Sequence, residues 1–257
     1  KRLLKLQKRF DVFDWNYSKG SFDLKIETSR NKETKELTIN ISSEKPGEPI
    51  YYTLDNSNPT INSFKYSRPI LLNKSSIIKA ALFIDNKIAG KILNRTFNFH
   101  KAIGKSLYYE NKYSDRYPGS GISNLINGEN GSENYSDGKW QGWLGEDAEV
   151  IIDLDKKTKV DRVSISFLES HNVWIFLPNQ IDLSFSNDQT SYDQSKSLII
   201  NQSEYEKKPN RNSFSIENLD VNCRFIKVMV KNQKVCPDWH TGSGGKTWLF
   251  MDEINVN

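Results

Sequence analysis

Along most of this chain apolar residues recur at every second position. Val163, Ile165 and Phe167 alternate with serines, Ile181, Leu183 and Phe185 alternate with Asp182 and Ser184, and Ile226, Val228 and Val230 share one face of a third run. A period of two is that of a β-strand with one buried face. Leu37, Ile39 and Ile41 repeat the pattern, and Ile50–Leu54 and Ile77–Ile84 give two further strands. Asp55-Asn-Ser-Asn-Pro59 and Asp85-Asn86 are turn signals between them. Glu149-Val-Ile-Ile-Asp-Leu154 is an apolar run edged by acids, the pattern of a buried strand, and Leu249–Val256 supplies the last strand. One segment departs from this period: Leu3, Leu6, Phe10 and Phe13 fall at helical spacing, which predicts a short amphipathic helix over residues 1–13.

The strands fall into two groups. Residues 20–105 carry short strands at the spacing of a small β-sandwich, and residues 106–257 carry a longer series that predicts an antiparallel sandwich or jelly roll. Between them, Lys101–Lys105 and Tyr108–Tyr117 lack apolar periodicity and read as a connector, with His100 as a linker residue. The chain is therefore expected to be all-β, apart from the opening helix.

Composition narrows the function classes. The net charge of +4 comes from lysines interleaved with acids, without the basic block that tracks a phosphate backbone, so nucleic acid is not an expected partner. No apolar stretch approaches the ~20 residues of a membrane span. Six Trp, 11 Tyr and 13 Phe suit β-sandwich cores for the most part, and those left on loops are candidates to stack on sugars. Cys223 and Cys236 flank the strand Arg224–Lys231, which carries the chain ~26 Å in one direction. The few residues left before Cys236 barely allow a return within disulfide range, so both are expected as free thiols.

Two chemical imitations fail. Gly245-Lys246-Thr247 matches the end of a phosphate-binding loop, but His240 stands where that loop needs Gly, and a strand follows where it needs a helix. Asp252-Glu253 imitates an adjacent pair of catalytic acids, yet neighbours on a strand point to opposite faces. The three histidines are widely separated in sequence, and no Cys/His spacing suits zinc.

Specific segments carry a family resemblance. IYYTLDNSNPTINSFKYSRPILLNKSSIIKAALF, residues 50–83, resembles the C-terminal β-sandwich of chitobiases and hexosaminidases, with Asn56 where Gly is usual. Trp140-Gln-Gly-Trp143, Trp174-Ile-Phe-Leu-Pro178, Cys236-Pro-Asp-Trp-His240 and Trp248–Ile254 resemble the discoidin-like (coagulation factor V/VIII type C, family 32 carbohydrate-binding) modules appended to bacterial family 20 β-N-acetylhexosaminidases. Ser186–Tyr192 resembles a hairpin of those modules, with Gln189 replacing Gly, and Asn16-Tyr17-Ser18 resembles the segment leaving the family 20 barrel. The resemblance implies residues 1–19 as a helix left over from a preceding catalytic domain, 20–105 as an immunoglobulin-like β-sandwich, and 106–257 as a discoidin-like jelly roll.

It further implies a non-catalytic accessory region of a secreted, periplasmic or cell-surface glycosidase, packed on the catalytic domain of the same chain and binding a terminal Gal-, GalNAc- or GlcNAc-type glycan. The alternative is a purely structural spacer with no sugar site. Two loops combine aromatic and polar groups, and the expected sugar-binding residues are Glu169, His171, Asn172, Trp239, His240 and Lys246. Trp140, Trp143, Trp174 and Trp248 are expected in packing. By position the resemblance also implies a structural Ca²⁺ held by Asn124, Asn127, Glu129, Ser132, Asp252 and Glu253, with Asn127 in place of an Asp weakening the site.

Overall fold

A computed structural model describes residues 22–30, 37–72, 74–201 and 208–257, together with positions 9 and 12. The helix expected over 1–13 lies outside the described residues, apart from those two isolated positions. The described chain is all-β and forms two compact units, one built on residues 39–70 and 77–95, the other on 96–257. No helix among the described residues is long and apolar enough to cross a membrane.

The first unit contains β1 (Leu24–Arg30), β2 (Leu37–Ser43), β3 (Ile50–Thr53), β4 (Phe64–Lys65), β5 (Ile70–Leu72), β6 (Ser76–Ile84) and β7 (Lys87–Phe97). They form two sheets, β1-β2-β5 and β4-β3-β6-β7. The alternation read in the sequence is the burial pattern: Ile39, Ile41, Ile50, Ile78, Ala80 and Leu82 face inward. The turn after β3 is closed by Asp55, whose Oδ1 accepts the Ser57 backbone N–H at 3.0 Å and its hydroxyl at 2.6 Å. Asn56, where the resembling sandwiches carry Gly, takes φ +68° there, a conformation Asn tolerates.

The second unit contains β8 (Ser106–Asn111), β9 (Gln141–Leu144), β10 (Ala148–Val160), β11 (Val163–Glu169), β12 (Gln180–Ser186), β13 (Gln194–Ile199), β14 (Asn210–Ile216), β15 (Val221–Lys231) and β16 (Trp248–Val256). A five-stranded sheet, β13-β12-β15-β10-β8, and a four-stranded sheet, β14-β11-β16-β9, are antiparallel throughout. Their facing side chains share one core, with Val150, Ile152, Leu183, Ile226 and Val228 from the first sheet and Ile165, Phe167, Leu249, Met251 and Ile254 from the second. The β12–β13 hairpin turns at Gln189, φ +68°, where Asp188 Oδ1 accepts the backbone N–H groups of Thr190 and Ser191, each at 2.9 Å. Those bonds hold a side-chain-bearing residue in a conformation usually left to Gly.

Both cysteines are buried and unpaired, as the reach of β15 predicts. Burial pushes the Cys223 thiol up to about 11 and raises Cys236 as well.

His100 is a correction to the sequence reading. It is buried, and its Nε2 lies 2.7 Å from Glu253 Oε1. Its Nδ1 accepts the backbone N–H groups of Ala102 and Val256 at 3.3 and 3.4 Å, which leaves the ring proton on Nε2. Residues 98–105 are thus anchored to the last strand rather than loosely linking two domains: Lys101 N–H also donates to Val256 O at 2.8 Å.

Candidate functional site

Three connections meet over the outer face of the four-stranded sheet: 112–140 between β8 and β9, 170–179 between β11 and β12, and 232–247 between β15 and β16. The outward side chains of that sheet are apolar where the loops cover them. Trp140, Leu168, Ile175, Trp248 and Phe250 form a second cluster, with Tyr117 and Tyr135 packed against it. Backbone bonds tie the loops down: Trp248 N–H donates to Trp174 O at 2.8 Å, Phe176 N–H to Trp248 O at 3.0 Å, and Cys236 N–H to Gly245 O at 2.8 Å.

Trp174 departs from its expected packing role. It is 40% exposed and has φ +67°, a left-handed conformation unusual for a bulky residue. Gly242 and Gly245 back its ring, and a Cβ on either would stand 2.5 Å from ring carbons. The glycine-rich loop is therefore a seat for an indole presented to solvent. Trp140 and Trp143 are buried as expected, with their indole N–H groups donating to Ser132 O at 2.9 Å and Asn111 O at 3.0 Å. Trp248 is buried too.

Beside Trp174 lies a cleft of about 380 Å³ whose walls include Arg116, Tyr117, Tyr135, Lys246 and Trp248. Its aromatic walls meet edge to face: Tyr117 and Trp248 stand 5.0 Å apart at 86°. The Arg116 guanidinium lies 5.8 Å from the Tyr117 ring centroid and 5.9 Å from that of Trp248. The volume falls in the range of small-ligand sites, and the floor is the apolar sheet face.

The sequence-predicted sugar residues divide. Asn172, Trp239 and Lys246 are exposed, and Lys246 lines the cleft. Glu169, His171 and His240, also expected to contact sugar, are buried. The His171 ring stacks on Phe176 at 4.5 Å, and its Nε2 lies 3.2 Å from Glu169 Oε1. His240 Nδ1 accepts the Gly242 N–H at 3.0 Å, so its Nε2 donates to His171 O at 2.8 Å. The His240 ring then meets both exposed indoles edge-on, Trp174 at 5.9 Å and Trp239 at 5.7 Å. Sequence reasoning missed Arg116 and Tyr117, at the end of the segment read as a connector without periodicity, and Tyr135, in the polar loop before Trp140. The one signal for them was aromatics interleaved with Gly, Pro and charge.

The residues expected to hold Ca²⁺ do come together, and several of their oxygens accept hydrogen bonds from the chain. Asp252 Oδ2 accepts from Arg211 Nε at 2.6 Å and from Gly131 N–H at 2.7 Å. Glu253 Oε1 takes His100, and Oε2 accepts the Gly128 N–H at 3.0 Å. Glu129 pairs with Lys139 at 3.0 Å, and Asn127 Oδ1 accepts the Glu129 N–H at 2.7 Å. Two backbone carbonyls of the set also accept side-chain donors, Ser132 O from Trp140 and Asp252 O from Asn124 Nδ2 at 3.3 Å.

Burial raises Asp252 to about 6 and raises Glu253 strongly. Asp252 Oδ1 is buried without a partner, but one orphan oxygen is far from the 6–8 that calcium takes. Among the described residues no group of three or more His, Cys, Asp or Glu is placed to hold a metal. A calcium ion at this position would compete with the chain's own donors, Arg211 on Asp252, Lys139 on Glu129 and His100 on Glu253. The same burial keeps Asp252 and Glu253 away from any substrate.

A family model described as Fn3 associated matches residues 39–97. No curated protein matches the chain. Among solved structures, a fucose binding module of Streptococcus pneumoniae is similar over 68% of this chain and 97% of its own, with 16% identity and a TM-score of 0.41. A histidine mutant of the lectin binding domain of Lectinolysin, complexed with Lewis b, is similar over 62% of this chain and 95% of its own, with 17% identity and a TM-score of 0.42. CpGH89CBM32-6, produced by Clostridium perfringens, is similar over 62% of this chain and 98% of its own, with 17% identity and a TM-score of 0.35.

Proposed function

We propose that the second unit binds a glycan in the cleft beside Trp174, as a non-catalytic accessory region of a β-N-acetylhexosaminidase-like glycoside hydrolase that acts in the periplasm, at the cell surface or outside the cell. The observation that carries the reading is the presented indole: a tryptophan held half-exposed in a strained backbone by two glycines, at the edge of an aromatic cleft. The C–H face of a pyranose stacks on such a ring, while hydrogen bonds from the rim select its hydroxyls. The burial of Asp252 and Glu253 supports a binding rather than a hydrolytic role.

The ligand proposed from the sequence resemblance is a terminal Gal-, GalNAc- or GlcNAc-type residue on a larger glycan. A cleft this open offers few contacts to offset the cost of association, so each site binds weakly, with Kd on the order of 0.1–1 mM. The test is titration of the chain with galactose, GalNAc, GlcNAc and their short oligomers, following indole fluorescence and heat. Saturable binding lost in Trp174→Ala supports the reading. A folded protein that binds none of them, on a glycan array as well as in solution, is a spacer.

A further inference from the structure

The charge of the cleft narrows its ligand, and this step rests on the glycan-binding reading above. No acidic side chain lines the cleft, and its two charged members, Arg116 and Lys246, are both cations and both exposed. Neither is in an ion pair among the described residues. The acids closest to them in the chain have other partners: Asp115 pairs with Lys112 at 3.0 Å, and Asp252, six residues after Lys246, pairs with Arg211 at 2.6 Å.

Each cation is also steered. Arg116 is held over the Tyr117 and Trp248 rings, and the Lys246 stem runs past Gly145, where a Cβ would come within 3.0 Å of it. A neutral sugar needs acceptors as well as donors, because every hydroxyl carries a proton to give. The charged groups of this cleft only donate. Two unpaired cations above an apolar floor are suited instead to an anion, whose charge-assisted hydrogen bonds are roughly twice as strong as neutral ones.

We infer that the cleft takes an acidic sugar, with the pyranose ring on Trp174 and a carboxylate or sulfate reached by Arg116 and Lys246. The neutral ring supplies the stacking, and the anion supplies the preference.

Matched pairs test this on the whole chain: galactose against galacturonate for the carboxylate, and GlcNAc against GlcNAc-6-sulfate for the sulfate, each at 50 and 300 mM NaCl. We expect at least one acidic member to bind about tenfold tighter than its neutral partner, with the advantage shrinking in high salt. Which pair shows it identifies the anion. Arg116→Gln and Lys246→Gln, both exposed positions, should each reduce that advantage several-fold, weakening the acidic sugar more than its neutral partner. Equal binding of neutral and acidic partners, still lost in Trp174→Ala, overturns the acidic preference and keeps the glycan site. Absence of binding by all four overturns both.

Discussion

His100 Nε2 stands 2.7 Å from Glu253 Oε1, and both side chains are sealed from solvent. Burial pushes the histidine down to about 3 and the glutamate up, so each group resists charge, and a hydrogen bond from the neutral ring to the carboxyl group suits both. Removing one partner leaves the other buried and unsatisfied, which costs about 1–3 kcal/mol. His100→Ala and Glu253→Ala should therefore each lower the urea midpoint of the second unit sharply. The double variant should cost less than the sum of the two, and strict additivity would show that the pair does not couple.

Arg211 makes a parallel claim. Its Nη2 donates to Asn130 Oδ1 at 2.9 Å and Ser166 Oγ at 2.8 Å while its Nε holds Asp252. Arg211→Met keeps most of the stem but abandons a buried carboxylate, and it should destabilise by about 3 kcal/mol. Adding Asp252→Asn should restore part of that loss, since an amide carries no charge to strand. Denaturant melts of the two variants decide it, and no recovery in the double variant would mean that Arg211 acts through packing alone.

The same donors set an expectation for metal removal. A structural Ca²⁺ stabilises by mass action, so chelation should lower Tm if one is bound. Because the chain's own donors engage several of these oxygens, we expect EDTA and millimolar CaCl₂ to leave Tm unchanged within about 1 °C, where a tightly bound structural ion shifts it by several degrees in a domain of this size. A clear rise with calcium would show that the ion displaces Arg211 or His100.

What the sequence made legible was the part governed by local period. Val163–Phe167, Ile181–Ser186 and Arg224–Lys231 are strands where alternation placed them, and Trp140 and Trp143 are buried where an apolar strand follows. What it hid depends on partners distant in the chain. His100 and Glu253 lie 153 positions apart, so no window of the sequence contains the pair. Glu169, His171 and His240 have the residue types of a sugar site, and only the stacking of His171 on Phe176 and the bond from His240 to its carbonyl show them turned inward. Trp174 has the residue type of a core, and its exposure follows from a positive φ that sequence does not display.

Both cysteines are expected to resist modification in the folded protein. They are buried, and burial raises both thiols, so little thiolate forms near neutral pH. Titration with a thiol reagent should find two groups in the denatured, unreduced chain and almost none in minutes under native conditions. Rapid native reaction at Cys236 would show that the 232–247 loop opens readily.

The seat of Trp174 gives the most specific expectation. The indole is presented because Gly242 and Gly245 have no side chains, so an alanine at either position must displace the ring or the loop. Gly242→Ala should thus impair glycan binding about as much as Trp174→Ala does, although position 242 need touch no ligand. Each truncation removes a stacking face, a loss of about 1 kcal/mol or more, or fivefold and upward in Kd. Trp239→Ala, at the other exposed indole among the described residues, tests whether the site extends past His240: a loss there would widen the ligand to more than one sugar unit, and no loss would confine it to the cleft. Tryptophan fluorescence separates displacement from unfolding, since Gly242→Ala should shift the emission of a single exposed indole while the denaturation midpoint moves little. Unchanged glycan affinity in Gly242→Ala, with the emission shifted, would mean that the sugar does not rest on Trp174.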